Sequence, residues 1–239
     1  MLELFLSPTD QGRCERVLQK LTRHDIRSWV LTGGLSIEIQ LIRRGARPAS
    51  RNVNDIDFVT GSFESMPRDL KRDFLFRHVH PFDPAGKTIL QAIDADEAIR
   101  IDVFNDGGVA SRRAENIIVS GFQVSIISFE DLLARAARLS LDIAHGEIPA
   151  KHARDFARLS AVSSVEAVES TWQFHRRKDH PSTFREAARL LHDLIPRRQD
   201  YLITPKYSSD GKEVCNRCRS TRYFPLADPM EIYSILGYY

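Results

Sequence analysis

Cysteine is scarce in this chain, which has three: Cys14, Cys215 and Cys218. Three thiols cannot build the disulfide framework of a small secreted domain, so a reducing cytoplasm is the simplest expectation. No apolar run reaches the ~20 residues needed to span a bilayer, and no membrane partner is expected. The opening "MLELFLSPTDQGR" lacks a basic n-region and a long apolar stretch, so it does not read as a signal peptide. Net charge is also small, 34 Lys+Arg against 32 Asp+Glu for +2, and argues neither for nor against a polyanionic partner. Residues 171–239 hold 12 Lys/Arg and 8 Asp/Glu, a mild excess that a solvated face explains as well as RNA contact does. There is no internal repeat and no low-complexity segment. What remains is the profile of an ordinary globular chain, with 239 residues, 42% hydrophobic and 28% charged, long enough for one large domain or two small ones.

Hydrophobic periodicity predicts a helix over 10–27, with Val17, Leu18 and Leu21 on its inner face. "SWVLT" (28–32) reads as a short apolar strand that Gly33 and Gly34 break. A helix follows, with Leu35, Ile39, Ile42 and Ala46 at helical spacing. "DIDFVT" (55–60) is a second strand, and 64–77 is expected to be a surface helix. Then come strands at "KTILQAI" (87–93), "IRIDVFN" (99–105), "ENIIVSG" and "FQVSIIS", with a turn at "DADE". Ser128 or its neighbours can cap a helix running "FEDLLARAARLSLDIAH". The chain then reads as helical to about 196, and "DPMEIYSILG" as a closing helix. The expected organisation is an α/β domain over 1–128, a helical domain over 129–199, and an irregular tail over 200–239.

Residues i and i+2 of a strand point the same way, roughly 6–7 Å apart. Asp55 and Asp57 therefore share a face, while Ile56 and Phe58 take the other. Two carboxylates at that spacing repel unless a cation sits between them, and a hard ion such as Mg²⁺ or Mn²⁺ prefers oxygen ligands. A solvated strand end is the plain alternative. Gly33 and Gly34 lie between a strand and a helix, where backbone N–H groups and the helix dipole favour an anion, and Ser36 adds a hydroxyl donor. A tight turn needing positive φ accounts for glycine there equally well. A third carboxylate should come from a neighbouring strand. Asp102 in "RIDVF" fits, on the face it shares with Arg100 and Phe104, whereas Asp94 and Asp96 read as turn residues.

"TGGLS", 20 residues between Gly34 and Asp55, "NDIDFV" and then "RIDVF" resemble the signature of the nucleotidyltransferase (polymerase-β-like) superfamily. The nearest resemblance is to AbiEii-type and minimal toxin nucleotidyltransferases and to the small antibiotic nucleotidyltransferases. The resemblance implies an α+β fold: a mixed β-sheet flanked by helices, followed by a helical C-terminal region. It implies that Asp55, Asp57 and Asp102 hold two divalent ions ~3.5–4 Å apart, which clamp a nucleoside triphosphate and the attacking oxygen. Gly33, Gly34 and Ser36 would hold the phosphates, with Arg51 of "RNVNDID" near the triphosphate. "SFEDLLARAARL" and "KHARDFARL" resemble helical elements of the family, although Arg135 or Arg138 stands where a lysine is expected. Arg158 or Leu159 replaces a second aspartate. Lys151 would neutralise phosphate or position the acceptor with Asp155 fixing it, while a surface ion pair four residues apart is the ordinary alternative.

The implied activity moves a nucleoside monophosphate from a triphosphate to an acceptor, which could be tRNA, a protein or a small molecule. A toxin paired with a cognate antitoxin is one implied setting. The rivals are a non-catalytic nucleotide- or RNA-binding module of the same fold and an antibiotic-modifying enzyme. Cys215 and Cys218 form a single CxxC. A structural zinc would need two more ligands that spacing does not supply, so free thiols are the competing reading.

Overall fold

The computed structural model describes residues 1–62, 66–76, 89–141, 148–197 and 202–203. Two compact units divide the chain, the first covering Met1–Ser128 and the second beginning at Phe129.

Helix α1 (Pro8–Leu21) starts where the sequence chemistry puts it. Ser7 is the N-cap, its hydroxyl accepting from the Asp10 N–H at 3.1 Å, and Pro8 occupies the first turn. Its inner face buries Cys14, Val17, Leu18 and Leu21. The helix ends at Leu21, so the expected extension to residue 27 is corrected. There His24 is buried, with Nε2 2.8 Å from Asp73 Oδ2, a side-chain tie that replaces further helical turns. Strand β1 (Trp29–Thr32) leads directly into α2 (Gly33–Arg43). Gly45 closes α2 at φ +74°, its N–H bonded to Ile42 O, while the Ala46 N–H reaches back to Leu41 O. This pair of bonds is a Schellman cap, and it shortens the helix relative to the periodicity.

Strands β2 (Asp55–Thr60), β3 (Leu75–Phe76), β4 (Ile89–Asp94), β5 (Ile99–Asn105), β6 (Glu115–Val119) and β7 (Phe122–Ile126) complete the first unit. With β1 they form a seven-stranded mixed sheet in the order β3-β4-β5-β2-β1-β7-β6. The β1–β2 pair is antiparallel, whereas β2–β5 and β1–β7 are parallel. The expected mixed sheet with helices and a helical C-terminal region is borne out. The expected helix over 64–77 is not. The described residues 66–76 hold a single 3₁₀ turn (Leu70–Arg72) and then β3, whose Leu75 and Phe76 pair with Ile93 and Ala92.

One apolar cluster holds this unit together, with Trp29, Leu31, Ile56, Phe58, Ile101, Val103 and Ile126 from the sheet and Leu18, Leu21, Leu35 and Ile39 from the helices. Each fully buried side chain of this kind contributes about 1.5–3 kcal/mol. Cys14 belongs to it, fully buried, and burial raises its thiol pKa from 9.0 to about 12. The raised value means that the folded state holds the proton more tightly. Stability should therefore be unaffected below pH 9 and fall as pH rises from about 9 towards 12. In a Cys215→Ser/Cys218→Ser variant, Cys14 should resist a thiol reagent at pH 8 and react stoichiometrically in denaturant.

The second unit is helical: α3 (Phe129–Leu141), α4 (Ala150–Ser160), α5 (Val165–His175) and α6 (Phe184–Arg197), with a two-stranded pair, β8 (Ile148–Pro149) and β9 (Leu202–Ile203). Helix α3 packs against α4, α5 and α6. Trp172 is fully buried, edge-on to Phe184, and its indole N–H donates to Pro181 O at 2.9 Å. No helix among the described residues is long and apolar enough to cross a membrane. The tail beyond Ile203, with Cys215, Cys218 and "DPMEIYSILG", lies outside the described residues.

Candidate functional site

Alternation along β2 separates two roles. Ile56 and Phe58 are 0% and 1% exposed and anchor the strand in the core, which leaves Asp55 and Asp57 half-buried on the opposite face. Strand β5 behaves the same way. Ile101 and Val103 are fully buried on one face, and Arg100, Asp102 and Phe104 share the other. Because β2 and β5 run parallel and adjacent, register brings the carboxylates together. Asp57 stands opposite Asp102, and Asp55 opposite Arg100.

Arg100 fills the space between two of these carboxylates. Its Nη2 donates to Asp55 Oδ2 at 2.7 Å, and its Nε donates to Asp102 Oδ1 at 2.9 Å and Oδ2 at 3.0 Å. Asp102 is 4% exposed. Its carboxyl pKa is raised, chiefly by burial, while the Arg100 charge pulls it down and the Asp55 charge pushes it up. Hydrogen bonds from Arg100 and Gln91 also lower it. In this arrangement no group of three or more His, Cys, Asp or Glu side chains among the described residues is disposed to hold a metal ion. The guanidinium instead engages both Asp102 oxygens and one oxygen of Asp55. The donor set nevertheless fits a hard divalent ion. It is oxygen only, it shares one face of the sheet, and a cationic group already bridges Asp55 and Asp102 there.

Beside the carboxylates lies the glycine turn. Gly33 has φ +68°, and a Cβ there would come within 2.6 Å of Asp57 Cγ and 2.7 Å of Asp57 Cβ. The α2 N-terminus therefore approaches Asp57 as closely as it does only because Gly33 has no side chain. Gly34 faces Arg51, whose Nη1 would be 3.0 Å from an added Cβ. Arg51 is fixed by Glu38, a fully buried α2 carboxylate that accepts from Arg51 Nε at 2.6 Å and from the Ala49 N–H at 2.8 Å. Glu38→Ala would remove both bonds, and should destabilise the protein by about 1–3 kcal/mol in urea titration. Glu38→Gln, which keeps an acceptor, should cost less.

Ser36 does not stand open to a phosphate in this structure. It is fully buried, and its hydroxyl donates to Gly33 O at 2.8 Å, tightening the first turn of α2. Asp94 is fully buried. Its Oδ1 accepts from the N–H groups of Asp96 and Glu97, and Lys20 Nζ lies 2.9 Å from its Oδ2, so it builds the β4–β5 turn. The structure thus gathers Asp55, Asp57, Asp102, Gly33, Gly34 and Arg51 within the first unit. Lys151 and Asp155 belong to the second unit, on α4, where Lys151 is exposed and Asp155 is 4% exposed. Burial also lowers the His152 pKa there, with the Lys151 charge next in effect. Sequence reasoning placed Arg100 on the carboxylate face without assigning it a partner, and it missed Glu38. The spacing of Arg100 and Asp102 was a usable signal for the first, but nothing in the sequence pairs Glu38 with Arg51.

No protein-family model matches the chain. No curated protein sequence matches it either. Among solved structures, an antigenic nucleotidyltransferase-like protein from Paracoccidioides brasiliensis aligns with a TM-score of 0.43 and 16% identity, covering 83% of this chain and 96% of its own. The antibiotic-resistance factor ANT(2'')-Ia aligns with a TM-score of 0.45 and 14% identity, covering 80% and 98%. JHP933 from Helicobacter pylori aligns with a TM-score of 0.43 and 10% identity, covering 82% and 97%. At these values the likenesses say nothing about activity, and the site stands on its own geometry.

Proposed function

We propose that this protein is a divalent-metal-dependent nucleotidyltransferase that moves a nucleoside monophosphate from a triphosphate to an acceptor hydroxyl. The observation that carries the reading is the in-register pairing of Asp57 with Asp102 on parallel strands, with Asp55 on the same face and the Gly33–Gly34 turn against Asp57. Asp55, Asp57 and Asp102 would hold Mg²⁺ or Mn²⁺. When bound, such an ion supplies positive charge against the charge that develops on the transferring phosphate.

The chain's own residues do the rest. Backbone N–H groups at the start of α2 bind and orient the outgoing phosphates, helped by the helix dipole. Arg51, held over Gly34 by Glu38, presents its guanidinium to the same anion. An oxygen of the Asp102 carboxylate takes the proton of the acceptor hydroxyl, and the acceptor's own oxygen forms the new bond to the α-phosphorus. The bond from the α-phosphorus to the bridging oxygen breaks, and pyrophosphate leaves with the electron pair. Catalysis of this kind is positioning and electrostatics.

The acceptor class is a tRNA, a protein or a small molecule such as an aminoglycoside, and a toxin paired with an antitoxin is one setting for the first two. The test incubates each α-³²P-labelled nucleoside triphosphate and Mg²⁺ with total tRNA, a protein lysate and an aminoglycoside panel. Label on one acceptor, lost with Asp102→Asn, supports the reading and names the substrate. Metal-dependent nucleotide binding with no transfer to any acceptor would favour a binding module of the same fold.

A further inference from the structure

We propose that Arg100 sets the metal requirement of this site and couples metal binding to nucleotide binding. The inference rests on the reading of the carboxylates as a metal–nucleotide site. Arg100 is fixed by three charge-assisted hydrogen bonds, at 2.7, 2.9 and 3.0 Å, to Asp55 and Asp102. It leaves neither oxygen of Asp102 unengaged. A metal ion that ligates both Asp55 and Asp102 therefore competes with a guanidinium already bound to the two of them. A monovalent ion offers the carboxylates no more charge than Arg100 does, and it gives up the directed hydrogen bonds by which the guanidinium bridges Asp55 and Asp102. A divalent ion offers twice the charge, so the contest excludes sodium and potassium and admits magnesium or manganese.

Displacement has a second consequence. The Arg100 side chain is 35% exposed and its two anionic partners are Asp55 and Asp102. Once both carboxylates ligate a cation, the guanidinium has lost those partners on the face where a triphosphate would lie. The phosphates are the anions that arrive there, and a planar guanidinium matches them bidentately. Metal alone thus binds against the cost of an uncompensated Arg100, and metal with triphosphate does not. Linkage makes the effect reciprocal: each ligand strengthens the other by the same factor.

The experiment measures Mn²⁺ binding by the electron paramagnetic resonance of the free ion. It compares wild type, Arg100→Gln, Arg100→Lys, Asp57→Asn and Asp102→Asn, each with and without an α,β-methylene triphosphate. Wild type should bind Mn²⁺ weakly alone and about tenfold or more tightly with the analogue. Arg100→Gln should bind Mn²⁺ alone about tenfold more tightly than wild type, and the analogue should add little. Arg100→Lys, which keeps the charge but not the fork, should fall between them and guards against a folding defect in Arg100→Gln. If Arg100→Gln and Arg100→Lys bind Mn²⁺ alone no better than wild type while Asp102→Asn weakens binding, the role of Arg100 is overturned and the metal site stands. If neither Asp57→Asn nor Asp102→Asn changes Mn²⁺ binding, the site reading itself has failed, and the Arg100 role with it.

Discussion

Gly33→Ala should nearly abolish nucleotidyl transfer while leaving a folded but weakened protein. Two independent costs fall on this position. The backbone there has φ +68°, which an alanine adopts at a cost of about 1–3 kcal/mol. The new methyl would also overlap the Asp57 side chain at its Cβ and Cγ, which are anchored on a strand and cannot simply swing aside. Overpacking of that kind costs another 1–3 kcal/mol or so. The overlap forces Asp57 or the α2 terminus to move, and a shift of about 1 Å in a positioned group can lower a rate about a hundredfold. The neighbouring glycines serve as graded controls. At Gly34 an added Cβ meets the far end of Arg51 at 3.0 Å, which can give way. At Gly45 the φ of +74° is strained but nothing lies within 4 Å, so Gly45→Ala should lose stability without losing activity. Denaturant midpoints and transfer rates across the three variants check this ordering. Adding Asp57→Gly to Gly33→Ala should recover part of the stability lost by the single change, because it removes the overlapping atoms. Equal losses at Gly33 and Gly45 would mean that only backbone strain matters.

Asp57→Asn and Asp102→Asn should each lower transfer by about a thousandfold or more with little change in stability. Both substitutions keep shape and remove charge. Asp102 is buried beside Asp55, whose charge works against its ionisation, so losing one negative charge from the cluster relieves repulsion in the folded state. Arg100 keeps Asp55 as a partner in the Asp102→Asn variant. A stability loss of several kcal/mol with activity retained would make these carboxylates structural, Asp102 as a partner of Arg100 and nothing more. Circular dichroism and urea titration alongside the transfer assay separate these outcomes.

The parts of this site that were legible in the sequence are those that alternation fixes. "DIDFVT" and "IRIDVFN" declare their strands because apolar residues occupy every second place, and the same pattern puts Asp55, Asp57 and Asp102 on their faces. The Gly-Gly break between an apolar strand and an amphipathic helix was equally plain. What the sequence did not carry is which strands lie side by side. The parallel pairing of β2 with β5 decides that Asp55 stands opposite Arg100, and so decides that an arginine sits between carboxylates. Glu38 was invisible for a related reason: its partners, Arg51 and Ala49, come from a loop whose path periodicity does not describe. The expected helix over 64–77 failed in its described part because Leu75 and Phe76 are claimed by the edge of β4, a tertiary contact that outweighs local pattern.

The central claim is that Asp55, Asp57 and Asp102 hold a divalent ion next to a triphosphate whose phosphates rest on the Gly33–Gly34 turn. Crystals grown with Mn²⁺ and an α,β-methylene triphosphate test it directly through manganese anomalous scattering. The account predicts an anomalous peak within ligand distance of all three carboxylates, phosphate density at the α2 N-terminus, and Arg100 turned away from Asp102 towards the phosphates. Bound nucleotide elsewhere, with Arg100 still on Asp55 and Asp102 and no manganese between them, would contradict it.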